Sequence, residues 1–165
     1  MHKGRAIVTE MTVGPVGELL ALDLWNADDA ATVASALGVA LPGPGQAEGA
    51  VLRIGPRRWW LVGTNFDRAG LAAALNGTGV VSAVAGGWVH VQLSGVGWRD
   101  LIMQSGLIDA EDAGFGPGTV AVTPLSHARC VVHVRAATQC DVFVPASYAD
   151  HCLSAWRAMG AKAVA

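Results

Sequence analysis

The side chains with the most obvious chemistry lie in the last quarter of the chain: His127, Cys130, His133, Cys140, His151 and Cys152. The run His127-x2-Cys130-x2-His133 has the ligand types of a zinc site. Strand geometry works against it, because residues three apart on a strand face opposite sides of a sheet. His151 and Cys152 are adjacent on a predicted helix and diverge by roughly 100°. The chain has no Cys-x2-Cys pair, so small buried thiols are the favoured reading. His90, Ser94 and Asp100 supply the residue types of a hydrolytic triad, but no Gly-x-Ser-x-Gly elbow occurs. Cys140 has no cationic sequence neighbour to make it a thiolate.

Two glycine-rich stretches invite a phosphate reading. Residues 43–49 (GPGQAEG) lack the closing glycine of a dinucleotide fingerprint and the Lys-Ser/Thr of a P-loop. Residues 94–97 (SGVG) follow a predicted strand and open a helix, yet Trp98 intrudes, and a helix start accounts for them.

The tryptophans are more informative. Trp59 and Trp60 are neighbours on a predicted strand, so period-two geometry sends one to each face. Trp88 shares a polar strand face with His90 and Gln92, while Val89, Val91 and Leu93 point the other way. Trp59, Trp60, Trp88 and His90 therefore form a candidate partner interface, with at least one of the three indoles expected to be substantially exposed. No catalytic, cofactor-binding or metal-ligating residue is assigned to this chain.

The elements that must position these residues alternate between strands and helices. Strands are predicted over residues 18–25, 51–55, 59–63, 88–93, 119–123, 130–135 and 141–144. Helices are predicted over residues 29–37 behind Asp28, 68–75 behind Asp67 or Asn65, from Ser94 or Gly95 to about Ser105, and 147–159. Gly38, Asn76-Gly77, Gly106 and Gly160 end them. The order strand, helix, long loop, hairpin, helix occurs twice. It implies an α+β fold of two pseudo-repeated β-α-β-β-α halves, about 5–84 and 85–160. Mostly antiparallel sheet and four helices make a single domain over 1–165.

Composition narrows the function classes. The 165 residues are 52% hydrophobic and only 15% charged, against about 25% charged in an average domain. That deficit suggests surface covered by a partner. A net charge of −2 without a basic block excludes a nucleic-acid footprint. No apolar run reaches about 18 residues, so no membrane span is expected. Residues 1–10 lack the apolar core of an export signal, and three cysteines fit reduced thiols in the cytoplasm.

Three stretches in order resemble one family. They are residues 52–63 (LRIGPRRWWLVG), residues 87–95 (GWVHVQLSG) followed by Arg99, Asp100 and Leu101, and residues 141–151 (DVFVPASYADH). Together they resemble the gamma subunit of heterotetrameric sarcosine oxidase. The resemblance implies a fold like the folate-binding domain of aminomethyltransferases. It implies a non-catalytic role in a flavin-dependent complex that demethylates sarcosine to glycine and passes the one-carbon unit to tetrahydrofolate. The alpha subunit would be associated with NAD and tetrahydrofolate, the beta subunit with FAD and FMN, and the delta subunit with zinc, leaving none of these to the gamma subunit. The alternatives are a free-standing aminomethyltransferase-like folate-binding protein and a small hydrolase using His90 and Ser94. A folate site would call for a carboxylate suited to a pterin ring, from among Glu18, Asp23, Asp100 and Asp141.

Overall fold

Eleven strands and four α-helices form in the order expected of an α+β chain, in a computed structural model that describes residues 8–164. The reading of residues 1–10 as no export signal lies mostly outside the described residues. Cα packing divides the described residues into two compact units, one of residues 16–86 and the other of residues 8–15 with 87–164.

After the first strand, β1 (Glu10–Pro15), the unit over residues 16–86 contains β2 (Leu19–Leu24), α1 (Ala30–Leu37), β3 (Ala47–Glu48), β4 (Val51–Gly55), β5 (Arg58–Val62), α2 (Arg68–Leu75) and β6 (Gly79–Ala83). The five strands pair antiparallel in the order β3-β4-β5-β2-β6. The Asp67 carboxylate accepts from the Ala69 N–H at 3.1 Å and starts α2, as its sequence position predicts. Asn26 rather than Asp28 caps the helical turn leading into α1. Gly38 ends α1 at φ 63°, a left-handed conformation that a Cβ would oppose. Leu20, Leu22 and Leu24 of β2 meet Trp59 and Leu61 of β5 and Val33, Leu71 and Leu75 of the helices in one core.

The other unit begins with β1 (Glu10–Pro15), and continues with β7 (Trp88–Ser94), α3 (Trp98–Ser105), β8 (Val120–Leu125), β9 (Ala128–Ala136), β10 (Gln139–Pro145), α4 (Ala149–Ala158) and β11 (Lys162–Ala163). Its sheet runs β11-β1-β7-β10-β9-β8, antiparallel except for the short β1–β11 contact. The first strand thus belongs with the second half of the chain, because Glu10 to Pro15 register against Ser94 to Val89. Trp98, Leu101 and Ile102 recur at helical spacing on α3, and Ala149, Cys152, Leu153 and Trp156 do so on α4. Apart from Ala149, both stripes pack with Met11, Val91, Leu93, Cys130, Val132, Cys140 and Val142 on one face of the sheet. Burial of each large side chain there contributes about 1.5–3 kcal/mol.

Candidate functional site

The opposite face of that second sheet carries the chain's one buried carboxylate among the described residues. Asp141 is 7% exposed and His133, directly across from it on β9, is 6% exposed. His90 of β7 pairs in register with Phe143, which makes Asp141 its diagonal neighbour, within reach of a long side chain. His90 Nε2–H donates to Asp141 Oδ1 at 3.0 Å; an ionised carboxylate can only accept, so the proton sits on Nε2. Arg135, diagonal to Asp141 on the other side, brings Nη1 within 3.5 Å of Oδ2. The His90 and Phe143 rings lie 5.3 Å apart, tilted.

Burial penalises the Asp141 carboxylate, but the hydrogen bond from His90 and the charges of His90, Arg135 and His133 outweigh it and hold the group below its ordinary range. Burial, then the neighbouring Arg135 charge, lowers the His133 pKa against the pull of Asp141. The cluster is therefore a paired anion with both oxygens engaged, on a sheet face, rather than a free base.

The other sequence candidates do not converge. Ser94 lies on the same strand face as His90 but four residues away, roughly 13 Å along β7. Asp100 sits in the first turn of α3, a helix packed on the Val91 face of the sheet, opposite His90. No hydrolytic triad can assemble from these three. Cys130 joins the core while His133 faces the opposite side, as strand geometry requires, so the His127-Cys130-His133 spacing makes no ligand set. Among the described residues no group of three or more His, Cys, Asp or Glu side chains is placed to hold a metal ion. All three thiols are free and buried. Burial pushes Cys130 up to about 12 and also raises Cys140 and Cys152, so none is a ready nucleophile. Residues 43–49 form a turn followed by the short strand β3, not a phosphate-cradling strand-to-helix loop.

The tryptophans behave differently from expectation. Trp59 and Trp60 do face opposite sides of β5, but both are buried, at 0% and 2% exposure. Neither offers a docking surface. The reason is that the sheet centre is buried on both faces: Trp60 is registered between Ala21 and Leu52, which are 4% and 1% exposed. Trp59 is held by an Nε1–H bond to Pro42 O at 3.0 Å and by the Arg53 guanidinium 4.9 Å over its ring. Trp88 is half-buried, as is His90. The exposed indole is Trp25, just past the end of β2, at 57%.

Two structural roles escaped the sequence reading. Arg99 packs its guanidinium 4.4 Å from the Trp98 ring and 5.9 Å from Phe115, and donates to the carbonyls of Ala110 and, at 2.9 Å, Phe115. It ties the long loop between α3 and β8 onto the helix. Arg58 makes a two-pronged ion pair with Asp23, at 2.5 and 3.0 Å. The strand carboxylates Asp23 and Asp141 are thus both already matched to internal cations, which leaves neither as a free anion for a pterin ring.

Sequence comparison with curated proteins returns no match. A chain of the heterotetrameric sarcosine oxidase from Corynebacterium sp. U-96, solved in complex with pyrrole 2-carboxylate, is similar in fold. Its TM-score is 0.79 at 20% identity, covering 98% of this chain and 90% of that one. The glycine cleavage system aminomethyltransferase T from Bartonella henselae aligns with a TM-score of 0.69 at 16% identity. That match covers 97% of this chain but only 48% of the transferase, so the present chain corresponds to about half of it. The family model of the sarcosine oxidase gamma subunit matches residues 23–161, and with that span of the sequence accounted for, the chain belongs to the sarcosine oxidase, gamma subunit family.

Proposed function

We propose that this chain is the non-catalytic gamma subunit of a heterotetrameric, flavin-dependent sarcosine oxidase of the cytoplasm and acts in assembly of the complex. The observation that carries the reading is the family match over residues 23–161. The geometry supports it: Asp141 is fully engaged by His90 and Arg135, Ser94 and Asp100 are remote from His90, and the thiols are buried and protonated. Redox chemistry on sarcosine therefore belongs to the partners: FAD and FMN on the beta subunit, NAD and tetrahydrofolate on the alpha subunit, and zinc on the delta subunit. The pairing of Asp23 and Asp141 with internal cations argues against the free-standing folate-binding alternative.

An omission experiment tests the proposal. Co-expression of the alpha, beta and delta subunits with and without this chain, followed by size-exclusion chromatography and sarcosine turnover, should give a full-sized, active, flavin-bearing complex only when the chain is present. Equal yield and turnover without it would overturn the assembly role.

A further inference from the structure

Two imidazoles of the second unit, His127 and His151, have no part in the polar cluster around Asp141. Leu125 of β8 registers with Ala128 of β9, so Ser126 and His127 make the two-residue turn of that hairpin. His151 lies in the first turn of α4. Both histidines are exposed, and their ring centroids are 6.2 Å apart with the planes tilted at 44°. Neither ring enters a hydrogen bond or an ion pair among the described residues. Each neutral imidazole therefore keeps a nitrogen lone pair to offer.

The backbone that presents His127 is an unusual one for its residues. Ser126 and His127 take φ 46° and 68°, the positive pair of a tight hairpin turn whose second residue is ordinarily glycine. Nine glycines among the described residues take positive φ elsewhere, so the chain supplies glycine at such positions as a rule and departs from it at His127. The turn is also tied down. Ser126 N–H donates to Ser105 O at 2.7 Å, and the Cys152 thiol donates to Leu125 O at 3.8 Å. The residue after His151 is thus bonded to the residue two before His127, which fixes the two backbones against each other.

An ion held about 2.0–2.1 Å from one nitrogen of each ring sets the ring centroids about 5–6.4 Å apart, from a tetrahedral to a linear arrangement. The observed spacing falls inside that range. Asp150 precedes His151 and Arg129 follows two residues after His127, both exposed, so the formal charges nearby cancel and ligand chemistry decides the occupant. Imidazole nitrogens suit copper, zinc and nickel rather than calcium or magnesium. We propose that His127 and His151 form a two-imidazole seat for one divalent transition-metal ion of the copper–zinc class, with water in its remaining positions, clasping the β8–β9 turn to α4. The site is independent of the assembly role.

The test uses the full chain, stripped of metal by a chelator and carrying no polyhistidine tag, titrated by calorimetry with copper(II) and with zinc(II). Wild type should bind one ion at this site, copper more tightly than zinc. His127→Gly removes one ligand and gives the turn the residue its backbone favours, so the metal-free variant should melt at or above the wild-type temperature. His151→Ala removes the other ligand from an exposed helix position. Each should weaken binding by at least about tenfold. The double variant should lose little more than either single one, because a chelate is lost with one arm. Saturating zinc should raise the melting temperature of wild type by about 5 °C and move both variants by less than about 1 °C. Unchanged affinity in both variants would overturn the proposal, since the ion would then sit elsewhere. Losses that add in the double variant would overturn it too, as would the absence of binding to wild type at about 1 mM metal.

Discussion

Replacing Asp141 by Asn removes the charge that organises the polar face of the second sheet while keeping the side chain's size. Breaking a fully buried ion pair costs about 3–5 kcal/mol. Here the carboxylate side chain is 9% exposed, but His90 and Arg135 are 31% and 52% exposed, so water screens the cations and the expected loss falls to about 1–2 kcal/mol. For a chain of this length that lowers Tm by about 3–6 °C near neutral pH. The pH dependence carries the sharper signature. A carboxyl held below its ordinary value of 3.8 in the fold contributes stability above that value and loses it as pH falls through the folded pKa. His133, held below its ordinary 6.5, also favours the fold above that value, and its contribution is lost as pH falls from there toward the folded pKa. Wild type should therefore lose stability in two steps, the first beginning near pH 6.5 and the second below about pH 4. Asp141→Asn lacks the second step, so the gap between the two proteins should close below about pH 4. Thermal melts at half-unit intervals from pH 7.5 to 3 read both effects. An unchanged Tm at pH 7, or a gap that stays constant into acid, would refute the reasoning.

Further outcomes follow from other parts of the two units. Arg99→Lys keeps the charge but loses the planar fork over Trp98 and Phe115, and should cost about 1–2 kcal/mol in urea denaturation while making the loop after α3 more sensitive to limited proteolysis. Gly95 adopts φ +103° and a Cβ there would stand 2.6 Å from the Val8 carbonyl oxygen, so Gly95→Ala should destabilise by about 2–3 kcal/mol, measured by the urea midpoint. Cys130, Cys140 and Cys152 are buried with raised pKa values; a thiol reagent at pH 8 should find them unreactive in the native chain and modify all three once it is unfolded.

The elements were largely legible because their signals are local. The Asp67 cap, the glycine stop after α1 and the alternation of β7 all appear where the sequence places them. Strand β1 was not legible: Gly14 and Pro15 lower its strand propensity, and what makes it a strand is pairing with β7 almost eighty residues later. Strand β6 was hidden by the glycines at its start, Gly77 just before it and Gly79 as its first residue. The burial of Trp60 did have a signal. Residues 19–24 (LLALDL) are apolar at both parities until Asp23, which marks a strand buried on both faces rather than one half-buried. The His90–Asp141 pair had none, since the two are 51 residues apart and only the β7–β10 register makes them diagonal neighbours.

The proposed role is that of a non-catalytic subunit working among flavin-bearing partners. Its most direct test is the native mass, with the flavin absorbance, of whatever a tag on this chain captures when all four subunits are co-expressed. Capture should yield a heterotetramer with flavin bands, and the chain purified alone should be colourless. A tagged chain that comes out alone from the co-expression, or that carries stoichiometric flavin by itself, would contradict it.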